Sequence, residues 1–490
     1  MIRNQGGSIT EELNTRGYGG YGGQYTVEDQ KGDQYTVQTI LRPDDIEFDP
    51  PQRLTSVTHI DDIYSGKHKG AKGLLFSKME KGDLRNSIIT FLTACVGAGI
   101  LSFPQIFSFF GIIMGLVITA FSAYLNYHTY YIIDIAINLS GRRGYGNICS
   151  YFFGKRIAKF CIYGMMSVLF MISSVYASIT WNFLERLLND YKVVQFPLAN
   201  PNTGEFQEYA SKTFIVRLIS MLVIFALCYP LMLFRKLTAL RFITAGIMGV
   251  IVYIFFITVI QTPYYISHFK NKDSYEIDLW PPAFSNSMVS GFGALSMSFS
   301  SQPIFIFIRS EMIHKSVSRT KKVYKNGLII EFFIYSIFGL CGYLSMGKYN
   351  VPTIFTQRHA ISGSDVLMII ARWAFLPLIA LHVLLPFISL RESIFQFLKI
   401  ERSNTKVALV TLFLGLAAFM LPVVYPNVLA LMGIFGGLFS GFFCCVSLLI
   451  MGIKMSESML DKVKYFIFAA FFVWSALANT YVSVSGIFSQ

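Results

Sequence analysis

The run Asn86-Ser87-Ile88-Ile89-Thr90-Phe91-Leu92-Thr93-Ala94-Cys95-Val96-Gly97-Ala98-Gly99-Ile100-Leu101-Ser102-Phe103-Pro104 is apolar enough to enter a bilayer and poorly built to stay helical across it. Glycine weakens a helix by about 1 kcal/mol relative to alanine, and an interior proline by about 3. Here two glycines two apart are followed by a proline. A break in lipid is tolerated only where protein or a water-filled cavity satisfies the freed N–H and C=O groups. Such breaks put partially charged helix ends at mid-membrane, where N–H groups can hold a carboxylate and carbonyls an ammonium or a cation. The competing reading is that Gly97 and Gly99 only let helices pack closely.

A second interruption points the same way. Gly291-Phe292-Gly293-Ala294-Leu295-Ser296-Met297-Ser298-Phe299-Ser300-Ser301-Gln302-Pro303 carries glycines, a polar run and a proline within an apolar segment. Paired interruptions at corresponding positions of two halves of a chain mark a transporter site better than either does alone.

The rest of the chain fits a membrane setting. Of 490 residues 53% are hydrophobic and only 14% charged, where soluble proteins carry about 25% charged residues. Soluble enzyme, secreted disulfide scaffold and disordered protein are excluded. Apolar segments long enough to span a bilayer fall near 87–110, 112–137, 161–184, 214–234, 242–262, 284–308, 327–346, 365–390, 407–425, 427–453 and 465–486. The sequence thus predicts an all-α polytopic protein with eleven transmembrane helices, the first and sixth of them broken. The thinnest separation is Tyr425-Pro426-Asn427.

The net charge of +13 does not signal nucleic acid, because no basic stripe is interleaved with aromatics. The excess sits in alternate short loops, around Arg142 and Arg143, Arg235, Lys321, Arg402 and Lys462. Basic loops face the cytosol, so the N-terminus is expected inside and the C-terminus on the opposite side. Residues 1–86 hold eleven Lys and Arg against thirteen Asp and Glu and lack an apolar core, so no signal peptide is expected there. They read as a disordered cytosolic tail, with Tyr-Thr-Val at Tyr25 and again at Tyr35 and a basic cluster at Lys67–Lys81 that fits orientation or contact with anionic lipid. The seven cysteines show no zinc-ligand spacing and read as buried thiols, with Cys149 in a basic loop.

The Gly97-Ala98-Gly99-Ile100-Leu101-Ser102-Phe103-Pro104 core resembles the first helix of the amino acid/auxin permease family, which includes vacuolar and neutral amino acid transporters. The resemblance extends through Tyr145-Gly146-Asn147, Phe153-Gly154, Glu311, Gly342-Tyr343, Gly347 and Pro386 to Arg391, over roughly residues 85–486. It implies a LeuT-like fold of inverted five-helix repeats plus one helix, spanning residues 87–486, and secondary active transport of amino acids. It also implies a substrate pocket built from Thr93, Gly97, Ala98, Gly99, Ile100, Phe299, Ser300, Ser301 and Gln302. Many relatives carry Cys-His where this chain has Ser301-Gln302. In sodium-coupled members an Asn four residues before the first glycine helps hold Na⁺, and this chain has Thr93 there.

Ionisable residues within spans are functional candidates because burying them is costly. His382 can change charge near neutral pH, or it can simply bond a neighbouring carbonyl. Arg372, ten residues away, lies on a different face. Asp134 and Glu331 read as anchors at the cytoplasmic edge. With no carboxylate expected near either break, a proton is the expected coupling ion in preference to Na⁺, with Thr93 and His382 as coupling candidates. A non-transporting amino acid sensor that signals through its tail is the alternative. No HExxH, nucleophile elbow or Walker A run suggests an enzyme or direct ATP coupling, and no cofactor is implied. Plasma membrane and vacuolar or lysosomal membrane fit equally well.

Overall fold

The computed structural model describes residues 21–28, 34–41, 83–142, 144–190, 211–234, 240–269, 275–281, 283–312, 315–347, 365–399, 401, 403–424 and 435–488. The chain divides into two units, Met1–Lys78 and Met79–Gln490.

In the first unit β1 (Tyr21–Glu28) pairs antiparallel with β2 (Gln34–Leu41). The two Tyr-Thr-Val runs face each other in opposite directions, with Tyr25 opposite Val37, Thr26 opposite Thr36 and Val27 opposite Tyr35. Composition pointed to disorder throughout residues 1–86. Within this stretch, the β-branched and aromatic residues that favour strands are placed to pair with their own repeat. The basic cluster at Lys67–Lys81 lies outside the described residues.

The second unit is helical. It begins with α1 (Leu84–Cys95), a short 3-10 turn (Ala98–Ser102) and α2 (Phe103–Ser140). Next come α3 (Tyr145–Asp190), α4 (Ser211–Met232), α5 (Arg241–Phe269), α6 (Asn286–Phe299) and α7 (Gln302–Glu311). It ends with α8 (Val317–Met346), α9 (Val366–His382), α10 (Leu384–Leu398), α11 (Asn404–Val424), a π-type stretch (Phe435–Val446) running into α12 (Ser447–Met455), and α13 (Met459–Phe488). Among the described residues, 8 helices are long and apolar enough to cross a membrane. The segments expected as the first, sixth and tenth spans are instead built from shorter pieces, for the first two at the interruptions read from sequence. The Tyr425-Pro426-Asn427 separation lies outside the described residues.

Two long helices are each divided by a glycine that no other residue replaces well. Gly111, at φ 72°, separates the residues expected as the first and second spans. A Cβ there would also come within 2.9 Å of the Leu279 backbone. The N–H groups freed just beyond it, on Ile112 and Ile113, donate to the carbonyls of Asp278 and Leu279 at 3.1 Å. Gly154, at φ 79°, separates a short first segment of α3 from the long one. That short segment is anchored by Tyr145, whose hydroxyl donates to the Phe443 carbonyl at 2.9 Å. Cys149 therefore lies in a helix and is buried, not in a loop; all seven thiols are free.

The unit is apolar on both its inside and its outside. Phe91, Phe103, Tyr130, Trp181 and Tyr335 are fully buried, while Leu227 and Ile260 are 71% exposed and Phe413 68%. Lipid tails are as apolar as leucine, so helix association depends on packing and hydrogen bonds and not on hiding apolar surface.

The two residues expected as anchors at the cytoplasmic edge are enclosed by protein. Asp134 and Glu331 are both 0% exposed. Sequence counting started the seventh span at 327, but α8 begins at Val317 with Ser316 as its cap. Those extra turns put Glu331 mid-helix. Asp134 is held by Arg309 Nε at 2.7 Å and Thr320 Oγ1 at 2.7 Å. Gly115 on α2 is buried, and a Cβ there would meet the Phe107 ring at 3.1 Å.

Candidate functional site: two facing helix breaks

The first break starts where α1 ends. Asp83 caps the helix N-terminus by accepting from Leu84 N–H at 2.7 Å. At the other end Val96 N–H still reaches the Leu92 carbonyl at 2.7 Å, but Gly97 N–H turns back to Cys95 O at 2.8 Å. The helical bond from Gly97 to Thr93 is thereby lost, and the Thr93 carbonyl needs another partner. His382 Nε2 takes it at 3.0 Å. Tyr335 Oη donates to the Cys95 carbonyl at 2.7 Å. Side chains from α9 and α8 thus replace bonds that the glycines broke, as a break in lipid requires.

The glycines themselves make room for neighbours. A Cβ on Gly97 would land on the Tyr176 hydroxyl and 3.0 Å from His382 Cδ2. A Cβ on Gly99 would come within 2.8 Å of Ser298 Oγ and 3.3 Å of Tyr335 Oη. Ser102 Oγ then donates to Gly99 O at 2.7 Å as the chain re-enters a helix.

The second break lies between α6 and α7, at Ser300 and Ser301. Pro303 follows at the start of α7, where its missing N–H does no harm. Tyr130 from α2 fills the gap: its hydroxyl accepts from Ser301 N–H at 2.9 Å and lies 2.7 Å from Ser301 Oγ and 3.1 Å from Phe299 O. Ser300 Oγ bonds the Ser296 carbonyl at 2.5 Å.

The two breaks touch. Cys95 Sγ lies 2.8 Å from Ser301 Oγ, and the Tyr335 hydroxyl that serves Cys95 is also 3.3 Å from the Ser298 carbonyl. The Tyr335 ring stacks on Phe103 at 4.1 Å and meets Phe299 edge-on at 5.3 Å.

Most of the predicted site residues are gathered here, though not all in one role. Gly97, Gly99, Ile100, Phe299, Ser300 and Ser301 lie at the breaks, with Ala98 opening the 3-10 turn. The Thr93 hydroxyl donates to Ile89 O at 2.8 Å within its own helix and lies 3.3 Å from Thr244 O on α5. Its carbonyl, not its hydroxyl, faces His382. Gln302 reaches α2 instead, donating to Asn126 Oδ1 at 2.9 Å and Thr129 Oγ1 at 2.7 Å. Its Oε1 is buried without a partner. Both ring nitrogens of His382 meet carbonyls, Nδ1 the local Leu378 carbonyl at 2.9 Å and Nε2 the Thr93 carbonyl at the break.

Sequence reasoning missed Cys95, Tyr130, Tyr176 and Tyr335. The available signal was hydroxyls and a thiol inside apolar spans; nothing in the local pattern assigned them to a break. Among the described residues, no group of three or more His, Cys, Asp and Glu is placed to hold a metal ion.

Residues 80–488 match the family described as transmembrane amino acid transporter protein. A Plasmodium falciparum protein named as an amino acid transporter, AAT1, is 26% identical over 276 residues, 56% of this chain and 42% of that protein. The chain thus matches less than half of that relative's length. A Xenopus tropicalis protein named as a sodium-coupled neutral amino acid transporter is 24% identical over 400 residues, 77% of this chain and 86% of that one. The fold is similar to that of the Eremococcus coleocola manganese transporter, solved with an aromatic bis-isothiourea substituted compound. The TM-score is 0.53 with 14% identity, covering 83% of this chain and 88% of the other.

Proposed function

The chain belongs to the transmembrane amino acid transporter family, and from that premise we propose that it is a secondary active transporter of amino acids, coupled to protons. The family and the named relatives are transporters, not enzymes. The observation that carries the proposal is the contact between two helix breaks, through Cys95 to Ser301 and through Tyr335 to both. Unwound backbone from two half-helices in one place can recognise the two charges every amino acid carries: N–H groups for the carboxylate and carbonyls for the ammonium. On this reading Gly97 to Ile100 and Phe299 to Ser301 line the substrate position, and the aromatic groups packed there move aside to admit it. Gln302 supports the second break from α2.

The same reading takes the broken first and sixth segments, with the other nine, as eleven spans in LeuT-like inverted repeats plus one. It puts the N-terminal tail in the cytosol and the C-terminus across the membrane. In sealed right-side-out vesicles, protease should remove a tag after Gln490 and spare an N-terminal one; both tags on one face would mean a miscounted helix.

Proton coupling rests on what the site offers a cation. Na⁺ wants several hard oxygen ligands, yet the Thr93 hydroxyl is directed at helix carbonyls. His382, with a carbonyl at each ring nitrogen, is fully bonded only as an imidazolium, because a neutral ring has a single N–H. Protonation there would strengthen the tie between α9 and the first break. The name of the Xenopus relative favours a second reading, Na⁺ coupling.

Uptake into proteoliposomes tests all of these readings. Amino acid accumulation should follow an imposed pH gradient and persist when choline replaces Na⁺. Strict Na⁺ dependence with no response to pH would overturn the proton assignment. Binding without flux would instead make the protein a sensor.

A further inference from the structure

Resting on the proton-coupled reading above, we propose that Glu331 takes up and releases the transported proton, from a position beside the first break. Three observations converge on it. Glu331 is 0% exposed, at the middle of α8. Neither carboxyl oxygen makes a hydrogen bond in this structure. Its polar neighbours are the Cys95 thiol and the Tyr335 hydroxyl, the two groups that bridge the breaks.

The surroundings decide the protonation state. Titratable groups facing the carboxyl are Cys95 on α1, Tyr130 on α2 and Tyr335 one turn further along α8. No basic side chain stands beside it among the described residues. The Tyr335 proton is directed to the Cys95 carbonyl and the thiol is shared with Ser301. An ionised carboxylate accepts only, and the two donors beside it, the Tyr335 hydroxyl and the Cys95 thiol, are shared with the Cys95 carbonyl and Ser301, whereas the protonated acid carries its own. An unpaired buried charge is among the most costly arrangements a protein can hold. The packed site therefore accepts Glu331 as the neutral acid.

This links protonation to the state of the breaks. When the half-helices part and water reaches Cys95 and Tyr335, the carboxyl O–H bond can break and its proton pass to water. The carboxylate left behind is then solvated, and the site cannot close over it until a proton returns. One proton is bound on one side and one released on the other, with no other reactant. His382 meets the same break from α9, but with a carbonyl at each ring nitrogen, losing a proton would leave one carbonyl facing a bare nitrogen. Glu331 makes no hydrogen bond that titration would break.

The experiment uses the purified full chain in proteoliposomes, with a uniformly ¹⁴C-labelled mixture of the twenty standard amino acids as probe. Two quantities are read: exchange against the unlabelled mixture at equal pH, and accumulation driven by a pH gradient. With one proton per substrate, wild type should accumulate about tenfold per pH unit, since a tenfold ratio of proton activity balances a tenfold ratio of substrate. Glu331→Gln should keep exchange and lose the gradient-driven accumulation, while Glu331→Asp keeps both. Wild-type accumulation by Glu331→Gln would overturn the proposal. So would loss of exchange in both variants, which would mark Glu331 as structural. A wild type indifferent to pH would remove the proton-coupled reading itself, and the role of Glu331 with it.

Discussion

The two breaks do the same thing to a helix with different materials. At the first, the chain withholds side chains: Gly97 and Gly99 leave space that Tyr176, His382, Ser298 and Tyr335 occupy. At the second, the chain supplies polar groups of its own, Ser300 and Ser301, and the Tyr130 hydroxyl with the Cys95 thiol completes them. The first break is therefore the more sensitive to added volume and the second to lost hydrogen bonds. Close-packed interiors respond abruptly to added volume, whereas losing one hydrogen bond has a bounded cost. Damage at the first break should be nearly all-or-none, and at the second graded.

The largest effect is expected from Gly97→Leu or Gly99→Leu. Either should abolish amino acid uptake in proteoliposomes with membrane insertion unchanged, because the new side chain must enter space held by a tyrosine hydroxyl or a serine. Normal uptake by both variants would reduce the glycines to a packing role.

Next comes the far end of the second half-helix, α7. There Arg309 donates to Asp134 Oδ1 at 2.7 Å and to Asn138 Oδ1 at 2.6 Å, tying α7 to α2. Arg309→Ala strands a buried carboxylate, and breaking such a pair is destabilising by about 3–5 kcal/mol. Thermal unfolding in detergent should show a large drop in midpoint. An unchanged midpoint would mean that α7 is not held from this end.

A smaller loss should follow Tyr130→Phe, which keeps the ring and removes only the hydroxyl that Ser301 N–H donates to. The unsatisfied groups should lower stability by about 1–3 kcal/mol, with uptake reduced but measurable. Complete loss of uptake by a well-folded variant would make the second break as intolerant as the first and erase the contrast.

The smallest effect belongs to Gly249→Leu on α5, where a Cβ meets nothing within 4 Å. Its stability should stay within about 0.5 kcal/mol of wild type and its uptake be unaltered. It is a better control than Gly115, which the Phe107 ring covers. A strong effect at Gly249 would show that leucine substitution is harmful anywhere in these helices.

The sequence by itself determined that the chain lives in a bilayer and where it cannot remain helical. Both are local properties: an apolar average over a window, a missing Cβ at Gly97 and Gly99, a missing N–H at Pro303. The resemblance carried by Gly97 to Pro104 named the family from the same few residues. Only the tertiary structure decided what answers the broken bonds. Thr93 meets His382 289 positions away, and Tyr130 meets Ser301 at a separation of 171. No periodicity or spacing rule reaches that far, since the partners share a depth in the bundle and not a neighbourhood in the chain. Glu331 shows the same limit. Hydropathy placed it near a span's edge because the polar first turns of α8 do not look like membrane helix. The packing of α8 against α1 and α2 brought the carboxyl into the interior beside Cys95.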